Sequence, residues 1–271
     1  MVISLCLVLW PINLYFSNTI PNIVEYITPT VLIVISYFTY KSYPKSWFYL
    51  LPILLIGVVQ TKLIILPIIF FIFELITQSN KKIIVLLLVS LIVFSFSFKA
   101  FKGQTVFNKD YEGEQLILRN IHLYSSVFTA RIFQNKPKIY INKVADNFFA
   151  LTDPNNYFFG LHPRPIPVNN QNLFKYPFVA IIFFLYGLYH IKSSPEKRFI
   201  LITLASSILS LMVLTNFDRT DFILWVPVSL IIIHGINWTY KNNQKMFSLI
   251  ATILVIFGIP EVLRSFSTKL P

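Results

Sequence analysis

Apolar runs separated by short, lysine-bearing gaps fill most of this sequence, and that alternation most limits the folds open to it. The runs lie at 2–16, 27–40, 47–59, 63–76, 83–98, 178–191, 199–214, 222–236 and 247–259. A hydrocarbon core about 30 Å thick asks for roughly 20 apolar residues in a helix, so several runs are near the lower limit. Pro11, Pro52, Pro67 and Pro227 fall within or at the edges of runs. Neighbouring helices can satisfy the carbonyls that proline frees, so these residues predict kinks rather than breaks. Only 13% of residues are charged and 55% are hydrophobic, against about a quarter charged in soluble domains. A soluble domain of this composition would expose more apolar surface than water tolerates. The expected fold class is an all-α polytopic membrane protein with about nine transmembrane helices and one large loop outside the bilayer.

Alternating the runs across a membrane sorts the charges. One set of gaps holds Lys41 and Lys45, Lys81 and Lys82, Lys192, Lys197 and Arg198, and Lys241 and Lys245. The other set of short gaps holds Glu25, Lys62 and the segment Asp218-Arg219-Thr220-Asp221. The lysine-rich set is expected to be cytoplasmic. The N-terminus is then inside and the polar interval 99–174 is extracytoplasmic, with the inner (plasma) membrane as the expected location. The chain divides into N-terminal membrane helices (1–98), the loop region (99–174), C-terminal membrane helices (175–263) and a tail (264–271). Topology accounts for much of the net charge of +12; no basic patch with interleaved aromatics remains to bind nucleic acid. The single cysteine, Cys6, lies in an apolar run, and neither an internal disulfide nor a zinc spacing is available. The N-terminus lacks the basic start and small-residue cleavage site of a signal peptide.

Within 99–174, residues 115–133 carry apolar positions at helical spacing with Arg119 and Arg131 among them, which predicts a helix lying along the surface. A second helix is expected over 139–151, opened by Pro137 and closed by Asp153-Pro154.

The chemistry-bearing residues fall on the side opposite the lysines. Arg219, beside Asp218, sits at the mouth of a span, where a guanidinium can bind an anionic headgroup bidentately; the same cluster also serves as an interfacial anchor. Lys62 stands alone between two apolar runs, placed to meet a phosphate or to snorkel to the interface. Glu25 precedes the second run and could act in a site. Asp110 lies in an acidic stretch where a carboxylate could serve as general base for a hydroxyl or simply be solvated. His162 and Arg164 lie in a proline-stiffened run suited to a positioned binding loop or a re-entry turn. Glu74 lies inside a run near its cytoplasmic end, where a water-facing role is expected. His122, His190 and His234 are isolated in sequence.

Four segments carry a resemblance. Trp10-Pro11-Ile12-Asn13-Leu14-Tyr15-Phe16-Ser17-Asn18, Gly57-Val58-Val59-Gln60-Thr61-Lys62-Leu63 through Pro67, the run from Asp146-Asn147-Phe148-Phe149 to His162-Pro163-Arg164, and Asp218-Arg219 through Pro227 resemble motifs of GT-C integral-membrane glycosyltransferases. The likeness is to the family that includes protein O-mannosyltransferases and the aminoarabinose transferase. It implies transfer of a sugar from a polyprenyl-phosphate donor to a glycan, lipid or protein acceptor on the extracytoplasmic face. Donor phosphate would meet Arg219 and Lys62. His162, Arg164 and Asp218 would line the substrate side, and Glu25 or Asp110 would be the base. The resemblance gives no cofactor beyond the donor lipid and leaves a divalent metal open. It also implies that the family's first helices are missing, so a truncated or split member, with a partner subunit supplying them, is one expectation. Asn18 stands where the family has arginine. A transporter or flippase for a lipid-linked saccharide, and a non-catalytic membrane subunit, are the alternative readings. Internal repeats, which a transporter would favour, are not found.

Overall fold

The computed structural model describes residues 23–267 except 45, 79, 109–110, 124–125, 127, 129–134, 160–175 and 218–219. Among these residues the chain is helical, and its one bridge of extended backbone pairs Thr105 with Leu214. The helices are α1 (Ile23–Ser42), α2 (Leu50–Val59), α3 (Ile65–Thr77), α4 (Lys81–Lys102), α5 (Tyr111–Ile121), α6 (Lys136–Thr152), α7 (Ala180–Tyr189), α8 (Lys197–Leu211), α9 (Phe222–Asn242) and α10 (Gln244–Ser267). Every apolar run from 27 onward forms one of them; the run 2–16 lies outside the described residues.

Among the described residues two helices, α4 and α9, are long and apolar enough to cross a membrane, at 22 and 21 residues. Helices α2, α3, α7 and α8 are shorter, at 10, 13, 10 and 15 residues. Helix α2 has 10 residues, about 15 Å at 1.5 Å per residue. It ends at Gln60, whose extended backbone (φ −130, ψ 107) leads into a 3-10 turn over Thr61–Leu63 before α3 begins. Proline inside a helix does not break α1 at Pro29 or α9 at Pro227.

Apolar side chains fill the core and also cover much of the outer surface. Helix α4 turns Ile84, Val85, Leu88, Ile92 and Phe96 outward. Serines and threonines are buried among them: Thr30 and Ser36 on α1, Thr203, Ser206, Ser207 and Ser210 on α8, Ser229 on α9. Small hydroxyl residues at helix contacts let backbones approach closely; some bond locally, while the Thr30, Thr203 and Ser207 hydroxyls have no partner among the described residues. Ser206 donates to the Ile202 carbonyl (2.7 Å) and Ser210 to that of Ser207 (3.0 Å). Helices α7 and α9 approach closest of all. A Cβ added at Gly187 would overlap the Ile231 carbonyl, and one at Gly235 would overlap the Phe183 carbonyl. Only glycine fits either position.

The lysine-bearing gaps come together at one end of the bundle. At the lysine-rich end, Lys41 of α1 lies 3.9 Å from Glu196 before α8. Arg198 reaches both Glu74 on α3 and, at 3.4 Å, the Tyr49 hydroxyl ahead of α2. The Lys82 ammonium sits 5.2 Å from the centre of the Trp47 ring. At the other end, the chain leaving α4 is stitched to the turn after α8. The Val106 N–H donates to Val213 (3.0 Å) and that of Thr215 to Gln104 (2.9 Å). Helix α6 docks on the same turn, where the Asn147 side-chain amide donates to the carbonyls of Met212 (2.9 Å) and Leu214 (2.8 Å).

Helix α6 confirms the second surface helix expected from sequence. Its N-cap is Asn135, whose side chain accepts from the Lys138 N–H at 2.9 Å, and Pro137 occupies the first turn, where its missing N–H costs nothing. Asp153 closes it and accepts from the Asn155 N–H at 2.8 Å. Helix α5 covers the first part of the other expected helix, and most of that segment beyond Leu123 lies outside the described residues.

Candidate functional site

Of the residues singled out by sequence as site candidates, Lys62 is the one whose side chain is described. Lys62 lies in the 3-10 turn between α2 and α3, partly exposed, with no described carboxylate in ion-pair reach. Its neighbour Gln60 is the unexpected feature. It is 2% exposed, and neither its amide nitrogen nor its oxygen has a partner among the described residues. An uncompensated buried amide costs about 1–3 kcal/mol by mutational measures, so each such group calls for a reason. The Gln104 side-chain oxygen, at the far end of α4, is buried and unpartnered in the same way.

The remaining sequence candidates fall mostly beyond direct description. Glu25 lies on the first turn of α1, with only its backbone described. Asp110, His162, Arg164, Asp218 and Arg219 lie outside the described residues. Their immediate flanks are described. Phe217 and Thr220, on either side of Asp218-Arg219, are buried at 3% and 1% exposure. Both flanks of 160–175 are tied to the start of α9. Before the segment, Tyr157 packs edge-on against Trp225, centres 5.5 Å apart, and donates its hydroxyl to the Leu151 carbonyl at 2.9 Å. After it, the Tyr176 N–H donates to the Tyr157 carbonyl at 2.8 Å. The Tyr176 ring lies 4.8 Å from Trp225, and its hydroxyl bonds Ser229 and the Trp225 carbonyl (3.3 Å). Tyr157 and Tyr176, which flank the segment containing His162 and Arg164, therefore both sit beside the first turns of α9.

Helices α5 and α6 cap this end. The Lys136 ammonium donates to Glu114 at 2.7 Å across a shallow hollow lined by Ile139 and Tyr140. That hydrogen bond, with the carboxylate charge, raises the Lys136 pKa. The link is therefore present at neutral pH and is lost as pH rises through that raised value. The pair is exposed and acts as a tether open to salt screening.

The opposite end holds the one carboxylate buried within a described helix bundle contact. Glu74 is fully buried, not water-facing as its place in the sequence suggests. Arg198 pairs with it, and the Gln78 amide oxygen, oriented toward the guanidinium, accepts from the same group. The sequence separates these residues too widely for the pairing to be read from it. Two of the histidines, His190 and His234, lie close together without forming a ligand pair. His190 stacks on Trp238, centres 3.5 Å apart and 11° between planes, and a His234 ring nitrogen lies 2.9 Å from the His190 carbonyl. Among the described residues no group of three His, Cys, Asp or Glu is placed to hold a metal.

No protein-family model matches this chain, and no curated protein or solved structure does either.

Proposed function

We propose that this chain is a multi-span membrane glycosyltransferase of the GT-C class, acting on a polyprenyl-phosphate-linked sugar. In this reading the apolar helices cross the bilayer with the lysine-rich end cytoplasmic, and α5 and α6 roof the extracytoplasmic end. The donor's isoprenoid tail lies between helices. Arg219 and Lys62 hold its phosphate, and His162, Arg164 and Asp218 face the sugar. A carboxylate, Glu25 or Asp110, takes the proton from the acceptor hydroxyl. The hydroxyl oxygen bonds to the anomeric carbon, the bond from that carbon to the phosphate oxygen breaks, and polyprenyl phosphate leaves.

One observation carries the reading. A buried amide without a partner among the described residues, Gln60, stands close before Lys62 at the turn between α2 and α3, and both flanks of 160–175 are pinned to the start of α9, the helix that follows Asp218-Arg219. Such an arrangement suits a headgroup that offers both phosphate oxygens and hydroxyls. Purified protein given a labelled polyprenyl-phosphate sugar is expected to transfer the label, with turnover falling about a hundredfold in Arg219→Ala, the scale set by loss of one electrostatic donor. Unchanged turnover in that variant would remove Arg219 from the site. Passage of the lipid-linked sugar across a vesicle membrane without transfer would instead favour a flippase.

A further inference from the structure

At the end opposite the proposed site, lysines from separate connections ring the bundle. Lys41, Lys81, Lys82, Lys192, Lys241 and Lys245 are all exposed. The two carboxylates described among them are already engaged, Glu196 by Lys41 and Ser194, and Glu74 by Arg198. Lys81, Lys82, Lys192, Lys241 and Lys245 therefore have no carboxylate partner among the described residues. Aromatic rings sit at the same level, with Tyr43, Tyr189 and Tyr240 exposed at 66%, 82% and 54% and Lys82 over Trp47. Below this collar the helix surface is apolar. Amphipathic rings mark the headgroup level of a bilayer, and clustered lysines there attract anionic lipid.

We propose that this collar is a binding surface for anionic phospholipid headgroups, held by the lysines and seated by the tyrosines. An acidic protein or nucleic acid would match the charge but would leave the apolar belt directly below it uncovered. The proposal rests on the membrane reading and not on sugar transfer.

The test uses the full chain in nanodiscs of phosphatidylcholine, with or without about a third phosphatidylglycerol. Lipid retained through detergent extraction is counted by native mass spectrometry. Wild type is expected to retain phosphatidylglycerol preferentially. Lys41→Gln, Lys81→Gln, Lys82→Gln and Lys192→Gln combined should lower that preference roughly fivefold per lysine at low salt. Lys99→Gln, Lys102→Gln and Lys138→Gln, toward the other end, should leave it intact. Equal loss in both sets, or no preference in wild type, overturns the proposal. Release of the chain from vesicles by alkaline carbonate would overturn the membrane reading itself, a result the lipid count cannot mimic.

Discussion

Glu74→Ala should destabilise the bundle by about 3–5 kcal/mol, the cost of leaving a buried charge without its partner. Arg198 would lose the carboxylate that neutralises it, and Gln78 and the distant Tyr49 hydroxyl could not replace a full charge. Thermal unfolding in detergent should show a large fall in midpoint, and Arg198→Ala should show a similar one. The double variant Glu74→Leu with Arg198→Leu separates pairing from packing. A buried ion pair replaced by apolar side chains of similar volume is often neutral or stabilising, so the double change should recover most of what each truncation loses. If Glu74→Ala melts like wild type, the pair does not hold α3 to α8.

The pair also shows where sequence reasoning stops. The runs that became helices were legible because apolar patterning is local, and so was α6, with Asn135, Pro137 and Asp153 marking its ends. The sorting of lysines into one set of gaps was legible because charge follows chain alternation, and Lys41, Lys82 and Arg198 do lie at one end. Which side chains meet across helices was not. Nothing beside Glu74 in sequence names Arg198, and nothing near His190 names His234. Helix length was not legible either, since apolar content does not report where a chain leaves helical geometry, as it does at Gln60. Of the candidate site, the sequence picked out Lys62 and gave its neighbour Gln60 no role of its own. An amide becomes informative only once burial has removed its water.

Gln60→Leu is the second variant with a large expected effect, and its two readouts should move apart. The amide has no described partner to lose, so an apolar side chain of similar size should keep stability or raise it by about 1 kcal/mol. If Gln60 is kept for a ligand, transfer from the lipid-linked sugar should fall about tenfold to a hundredfold, the scale of one hydrogen bond to a charged group. Loss of both stability and turnover would mean that Gln60 is structural. Full turnover in a stabilised protein would mean that the orphaned amide has no part in binding.

The most direct measurement of the site's position is cross-linking by a photoactivatable polyprenyl phosphate, with the reactive group beside the phosphate and excess phosphatidylglycerol present to occupy any general anionic-lipid surface. The account predicts labelled peptides containing Gln60–Lys62 and the turn around residues 214–222, with labelling reduced in Lys62→Ala. Labelling confined to the lysine-rich end around Tyr43 and Tyr49, or removed entirely by phosphatidylglycerol, would contradict it.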